Sequence, residues 1–173
     1  MWTYEKKLQY PVKIKNPNPK LAQVIISQLG GADGELAASM RYLHQRYSMP
    51  YGEVTGILTD IGTEELAHLE IVATILYQLT RNIREEEIKD TPFATYFVDH
   101  TTGLYPIAAS GVPFDMKYVG IKGDIIADLN EDLAADAAII KEQPLREKSR
   151  KPLKYKAFSH LGKTPGNRTP AII

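Results

Sequence analysis

The sequence predicts an all-α bundle, on three observations. Apolar residues recur near every 3.6 positions in three long segments, proline and glycine clusters punctuate those segments, and one connection is too long for a tight turn. The chain's 173 residues fit one domain with a hydrophobic core of its own. Hydrophobic content of 43% and charged content of 24% are ordinary for a globular protein, and no apolar run approaches a membrane span. The N-terminal "MWTYEKKLQYPVKIK" lacks an apolar core and a small-residue cleavage site, so the expectation is no signal peptide and a cytoplasmic location. There is no cysteine, which excludes disulfides, thiolate ligands and cysteine nucleophiles; a metal would need carboxylate and imidazole.

The first helix is expected from Pro19, capped by Asn18, to about Ser48, where Pro50 and Gly52 break it. Leu29, Leu36, Met40, Leu43 and Tyr47 form its apolar stripe, and Gly30, Gly31 and Gly34 weaken its middle. The second helix runs from about Glu53 to Thr80, with Ile57, Ile61, Val72, Ile75 and Leu79 on one face. A crossover from Arg81 to Lys122 carries Pro92, Gly103, Pro106, Gly111, Pro113 and Gly120. The third helix, about Asp124 to Glu142, places Ile125, Leu129, Leu133 and Ile140 together, and Pro144 ends it. A crossover of this length lets the second and third helices run parallel, the ferritin-like connection of a four-helix bundle.

Ionisable groups interrupt these stripes. In "TDIGTEELAHLEIV", Glu65 and His68 fall inside the seam of Ile61, Val72, Ile75 and Leu79, at the i, i+3 spacing that lets two side chains converge on one ion. A Glu-x-x-His pair alone is equally a helix-surface pair. Asp136 falls in the seam of Leu129, Leu133 and Ile140, and Glu35 lies among Gly31, Ala32, Ala38 and Ser39, with Tyr42 two turns on. Uncompensated, such carboxylates repel one another or protonate; divalent cations neutralise them, and the donor types suit manganese or iron, and also zinc. His44 and His100 have no evident partners and are read as ordinary histidines.

The stretches "QLGGADGELAASMRYL", "ILTDIGTEELAHLEIVATILY", "AASGVPFDMKYV" and "GDIIADLNEDLAAD", in this order over about residues 1–136, resemble the manganese catalases, most nearly their spore-coat branch, the CotJC type. The resemblance implies a di-manganese site in a ferritin-like bundle that disproportionates hydrogen peroxide to water and oxygen, with iron as the alternative metal. By motif, Glu35 is a terminal ligand, Glu65 the bridging carboxylate, His68 a terminal ligand, and Asp136 stands where the family has a glutamate. It further implies a homo-oligomer or association with other spore-coat proteins, and deposition in the spore coat.

The end of the chain departs from that pattern. Residues 1–136 hold 12 Lys+Arg and 19 Asp+Glu, a balance of −7, whereas residues 137–173 hold 9 and 2, a balance of +7. The expectation is a domain at 1–142 and a divergent, basic, proline-containing, poorly ordered tail at 143–173, frameshifted or replaced, with the family's fourth helix and its histidine missing; His160 does not fit that pattern. No aromatics are spaced along the tail for stacking on bases, so nucleic acid is not an expected partner. A structural spore-coat component with a degraded metal site is the alternative function.

Overall fold

The computed structural model describes residues 3–5, 7–88, 94 and 106–141, with the side chains of 85, 88 and 138–141 excepted. Among the described residues six α-helices are formed: α1 Pro19–Ile25, α2 Ser27–Gly30, α3 Glu35–Gln45, α4 Gly52–Thr80, α5 Glu85–Ile88 and α6 Ile125–Lys141. Among the described residues there is no strand, only an isolated bridge between Ile107 and Pro113, and no helix is long and apolar enough to cross a membrane. The chain divides into units Met1–Ile139 and Ile140–Ile173; all but two residues of the second fall outside the described residues, as do His100, His160 and the expected tail.

Asn18 caps α1 by accepting the Leu21 backbone N–H, as its position before Pro19 predicts. The expected single first helix is interrupted, however. The chain leaves the helix after Gly30 and re-enters it at Glu35. A Cβ at Gly31 would stand 2.5 Å from the Ser27 carbonyl oxygen, and one at Gly34 would stand 2.7 Å from it, so only glycine permits the chain to fold back there. Gly30 serves a different contact. Its bare Cα lets the backbone of Pro106 and Ile107 lie directly against it, and Ser27 Oγ accepts the Ala109 N–H at 2.7 Å. The crossover is thus pinned to α2, and Ile107, 1% exposed, plugs the core.

Helix α4 matches its expected span. Ser39 Oγ donates to the Gly62 carbonyl at 3.0 Å, and a Cβ at Gly62 would stand 2.8 Å from Leu43 Cγ. Small residues therefore bring α3 and α4 close, as the stripe around Glu35 predicts. Glu35 lies near His68 and Ser39 near Gly62, so α3 and α4 are antiparallel. Tyr42 meets Asp136 while Gln45 meets Glu131, so α3 and α6 are antiparallel too. It follows that α4 and α6 run parallel, the direction the long crossover requires.

Two apolar clusters form along α4. One joins Ala22, Ile25, Ile26 and Leu29 to Val72, Leu76, Leu79 and Ile107. The other joins Ala38, Tyr42, Met49 and Leu58, with Ile61, Ile125 and Leu129 packed against it. Three expected stripe positions lie elsewhere: Tyr47, Ile57 and Leu133 are 77%, 42% and 69% exposed. On α3 the buried side chains are Glu35, Ala37, Ala38, Ser39, Arg41, Tyr42 and Gln45, and on α6 the buried residues include Asp128, Asp132 and Ala135. The faces these helices turn inward are polar.

Candidate metal centre

Between the two apolar clusters, on the stretch of α4 from Ile61 to Val72, lie Glu65 and His68. Glu35, at the first turn of α3, faces them. Each offers a ligand atom within 4.8 Å of the other two. His68 Nδ1 stands 2.8 Å from Glu65 Oε2 and 3.8 Å from Glu35 Oε2. The three side chains are 9%, 16% and 13% exposed for Glu35, Glu65 and His68. Helix geometry sets the pair on α4, since i and i+3 share a face; Glu35 is set by the chain's re-entry at Gly34.

Electrostatics shows what the cluster lacks. Burial pushes the Glu35 carboxyl well above the usual carboxylate range, and the facing Glu65 and Asp136 add to the push. Burial pushes Glu65 up as well, but hydrogen bonding with His68 and with Glu35 outweighs it, and Glu65 ends below its ordinary value. The two facing carboxyls in a largely buried site therefore favour the protonated form of Glu35. A divalent cation neutralises the same pair without a proton, and carboxylate with imidazole is a donor set that accepts manganese. The residues present fit such an ion.

Asp136 stands outside this group of three. Its Oδ1 accepts the Tyr42 hydroxyl at 3.1 Å. The residue is exposed, and partial burial of the carboxyl raises it, with Glu65's charge adding and Tyr42's hydrogen bond opposing. It belongs to the rim. Tyr42 in turn is held protonated, by burial first and then by the charges of Asp136 and Asp132.

The sequence reading missed Asp132, one turn before Asp136. It is 6% exposed, and neither carboxylate oxygen has a hydrogen-bond partner among the described residues. Burial pushes its carboxyl up to about 7. Gln45 lies close enough to oppose that rise, yet its Nε2 is engaged by the Gly120 carbonyl at 2.9 Å and Glu131 Oε2 at 3.3 Å. Arg41, 2% exposed, pairs with Glu131 at 2.7 Å. Asp128 is buried differently: it accepts the Lys122 and Gly123 N–H groups at 2.7 and 3.1 Å and shapes the start of α6. His44 is exposed, with Nδ1 2.6 Å from the Met40 carbonyl, and takes no part in the site.

Fold and cluster together define a helical bundle whose interior carries a carboxylate–imidazole group able to hold a metal. The model of the family described as manganese containing catalase matches residues 1–153, past Asp136, and the chain belongs to that family. It is 54% identical over 136 residues to Protein CotJC of Bacillus subtilis, covering 79% of this chain and 71% of that one. It is 37% identical over 140 residues to a probable manganese catalase of Clostridium acetobutylicum, of which it spans 61%. Among solved structures, the manganese catalase KatB from Anabaena PCC7120 superposes with a TM-score of 0.78 at 29% identity, over 93% of this chain and 72% of that one. The fold is the ferritin-like helical bundle of these proteins.

Proposed function

We propose that the protein disproportionates hydrogen peroxide at a manganese centre built on Glu35, Glu65 and His68. The observation that carries this is the convergence of their three ligand atoms within 4.8 Å in a chain of the catalase family. Manganese supplies the electron exchange with peroxide when bound. Glu35, Glu65 and His68 would hold the metal, with the Glu65 carboxylate shared between ions and His68 offering Nδ1. Glu35, whose carboxyl is pushed up by burial and by the facing Glu65, would release a proton on holding a cation. Tyr42 orients Asp136, the third-helix carboxylate, toward the rim. The apolar clusters on either side of the site keep bulk water from it.

Manganese-loaded protein is expected to evolve oxygen from peroxide, and Glu65→Ala to abolish it; oxygen evolution untouched by that substitution would overturn the assignment. A second reading, a spore-coat component that does not turn over peroxide, draws on Asp136 standing outside the group of three. Metal analysis separates the two: two manganese ions per chain support the catalase, none or one the coat component. Association with copies of itself or with other coat proteins belongs to both readings, and iron in place of manganese is read by the same analysis.

A further inference from the structure

The two ring nitrogens of His68 have unlike surroundings. Nδ1 faces the carboxylates of Glu65 and Glu35, whereas Nε2 is buried and has no hydrogen-bond partner among the described residues. A neutral imidazole that gives its Nδ1 lone pair to a cation carries its one proton on Nε2. That N–H needs an acceptor. Glu64 Oε1 stands 3.9 Å from Nε2, one turn back on α4, about 1 Å beyond hydrogen-bond distance. The Glu64 side chain is 43% exposed and so has room to close that gap by a small rotation. The same oxygen accepts Gln9 Nε2 at 3.2 Å, which tethers it from the N-terminal segment.

We propose that Glu64 is the positioning residue of the centre: it takes the Nε2–H of His68 and so fixes the ring with Nδ1 bare toward the metal. Gln9 holds Glu64 in place for this. The inference rests on His68 being a ligand, and it assigns Glu64 no contact with metal or substrate. Ligating histidines commonly donate their second N–H to a carboxylate, and loss of such a partner weakens metal binding roughly 10–100-fold.

The test is manganese binding by equilibrium dialysis with metal analysis, on the full chain, for wild type, Glu64→Leu, Glu64→Gln and Gln9→Ala. Glu64 is partly exposed and leucine favours helix, so the variants keep the fold, which circular dichroism checks. Zinc-loaded protein, being diamagnetic, allows the His68 Nε2–H to be seen by proton–nitrogen NMR. Wild type is expected to show that proton in slow exchange with water. Glu64→Leu should lose it and bind manganese roughly 10–100-fold more weakly. Glu64→Gln, a neutral acceptor, should recover part of the binding, and Gln9→Ala should weaken it by less than Glu64→Leu. If wild type binds manganese and Glu64→Leu matches it in affinity and in the Nε2–H signal, the role of Glu64 falls and the site stands. If wild type binds neither metal, both fall.

Discussion

Asp132 is a carboxyl whose ionisation burial makes costly, and replacing it with asparagine measures that cost. The side chain is 6% exposed, its oxygens are unpartnered among the described residues, and its carboxyl is pushed from 3.8 up to about 7. Folding therefore raises its proton affinity. Its contribution to stability is fully present below the unfolded value and is lost as pH rises through about 7. The shift of about three units corresponds to at most about 4 kcal/mol at 1.36 kcal/mol each. About a third of that has gone by pH 5 and nearly all by pH 8. Asparagine keeps the shape and carries no charge to lose. Asp132→Asn should therefore gain about 2–3 kcal/mol more over wild type at pH 8 than at pH 5. The comparison cancels other titrating groups, Glu35 included. The assay is urea denaturation of metal-free protein in chelator at both pH values, followed by circular dichroism. An equal difference at the two pH values, or an asparagine variant less stable than wild type at pH 8, would refute the reasoning.

Two further outcomes follow from the same geometry. Because Glu35 is held protonated and a cation must displace that proton, manganese affinity should rise with pH through neutrality, by up to about tenfold per unit for one proton released; calorimetry in buffers of different ionisation heat reads the proton directly, and an affinity flat in pH would count against it. Gly30→Ala should destabilise the protein by about 1–3 kcal/mol or more, since a Cβ there collides with the backbone of Pro106 and Ile107; an unchanged thermal midpoint would show that the crossover is not pinned there.

How much of this was legible in the sequence depended on how local each signal is. Glu65 and His68 are three residues apart on one uninterrupted helix, so α-helical geometry alone brings them together. Glu35 could be found because glycine, alanine and serine around it announce close helix approach, and the Ser39–Gly62 contact is that approach. The break at Gly31–Gly34 was signalled by its glycines, but local propensity does not distinguish a weakened helix from an interrupted one. The steric test against Ser27 depends on the folded backbone. Asp136 was placed in sequence, but its partner Tyr42 lies 94 residues away and no periodicity reveals such a pair.

The misplaced faces of α3 and α6 share one cause. Reading a helix by its apolar stripe assumes that the interior is apolar, and here the interior holds charge. On α3 the inward set Glu35, Ala38, Ser39, Tyr42 and Gln45 follows helical spacing as faithfully as the apolar stripe that ends at the exposed Tyr47. On α6, Asp128 and Asp132 point in while Ile126 and Leu133, each 69% exposed, point out. An acid ladder at i, i+4, i+8 through Asp136 was visible in the sequence and competed with leucines for the same role. Of these acids, Asp132 is buried without a hydrogen-bond partner among the described residues, which is unfavourable unless something in the interior requires negative charge. The Asp132 measurement and the manganese affinity therefore bear on one question from two sides: if the acids are there for a cation, the stability lost to ionised Asp132 in the metal-free protein should lessen when manganese is bound.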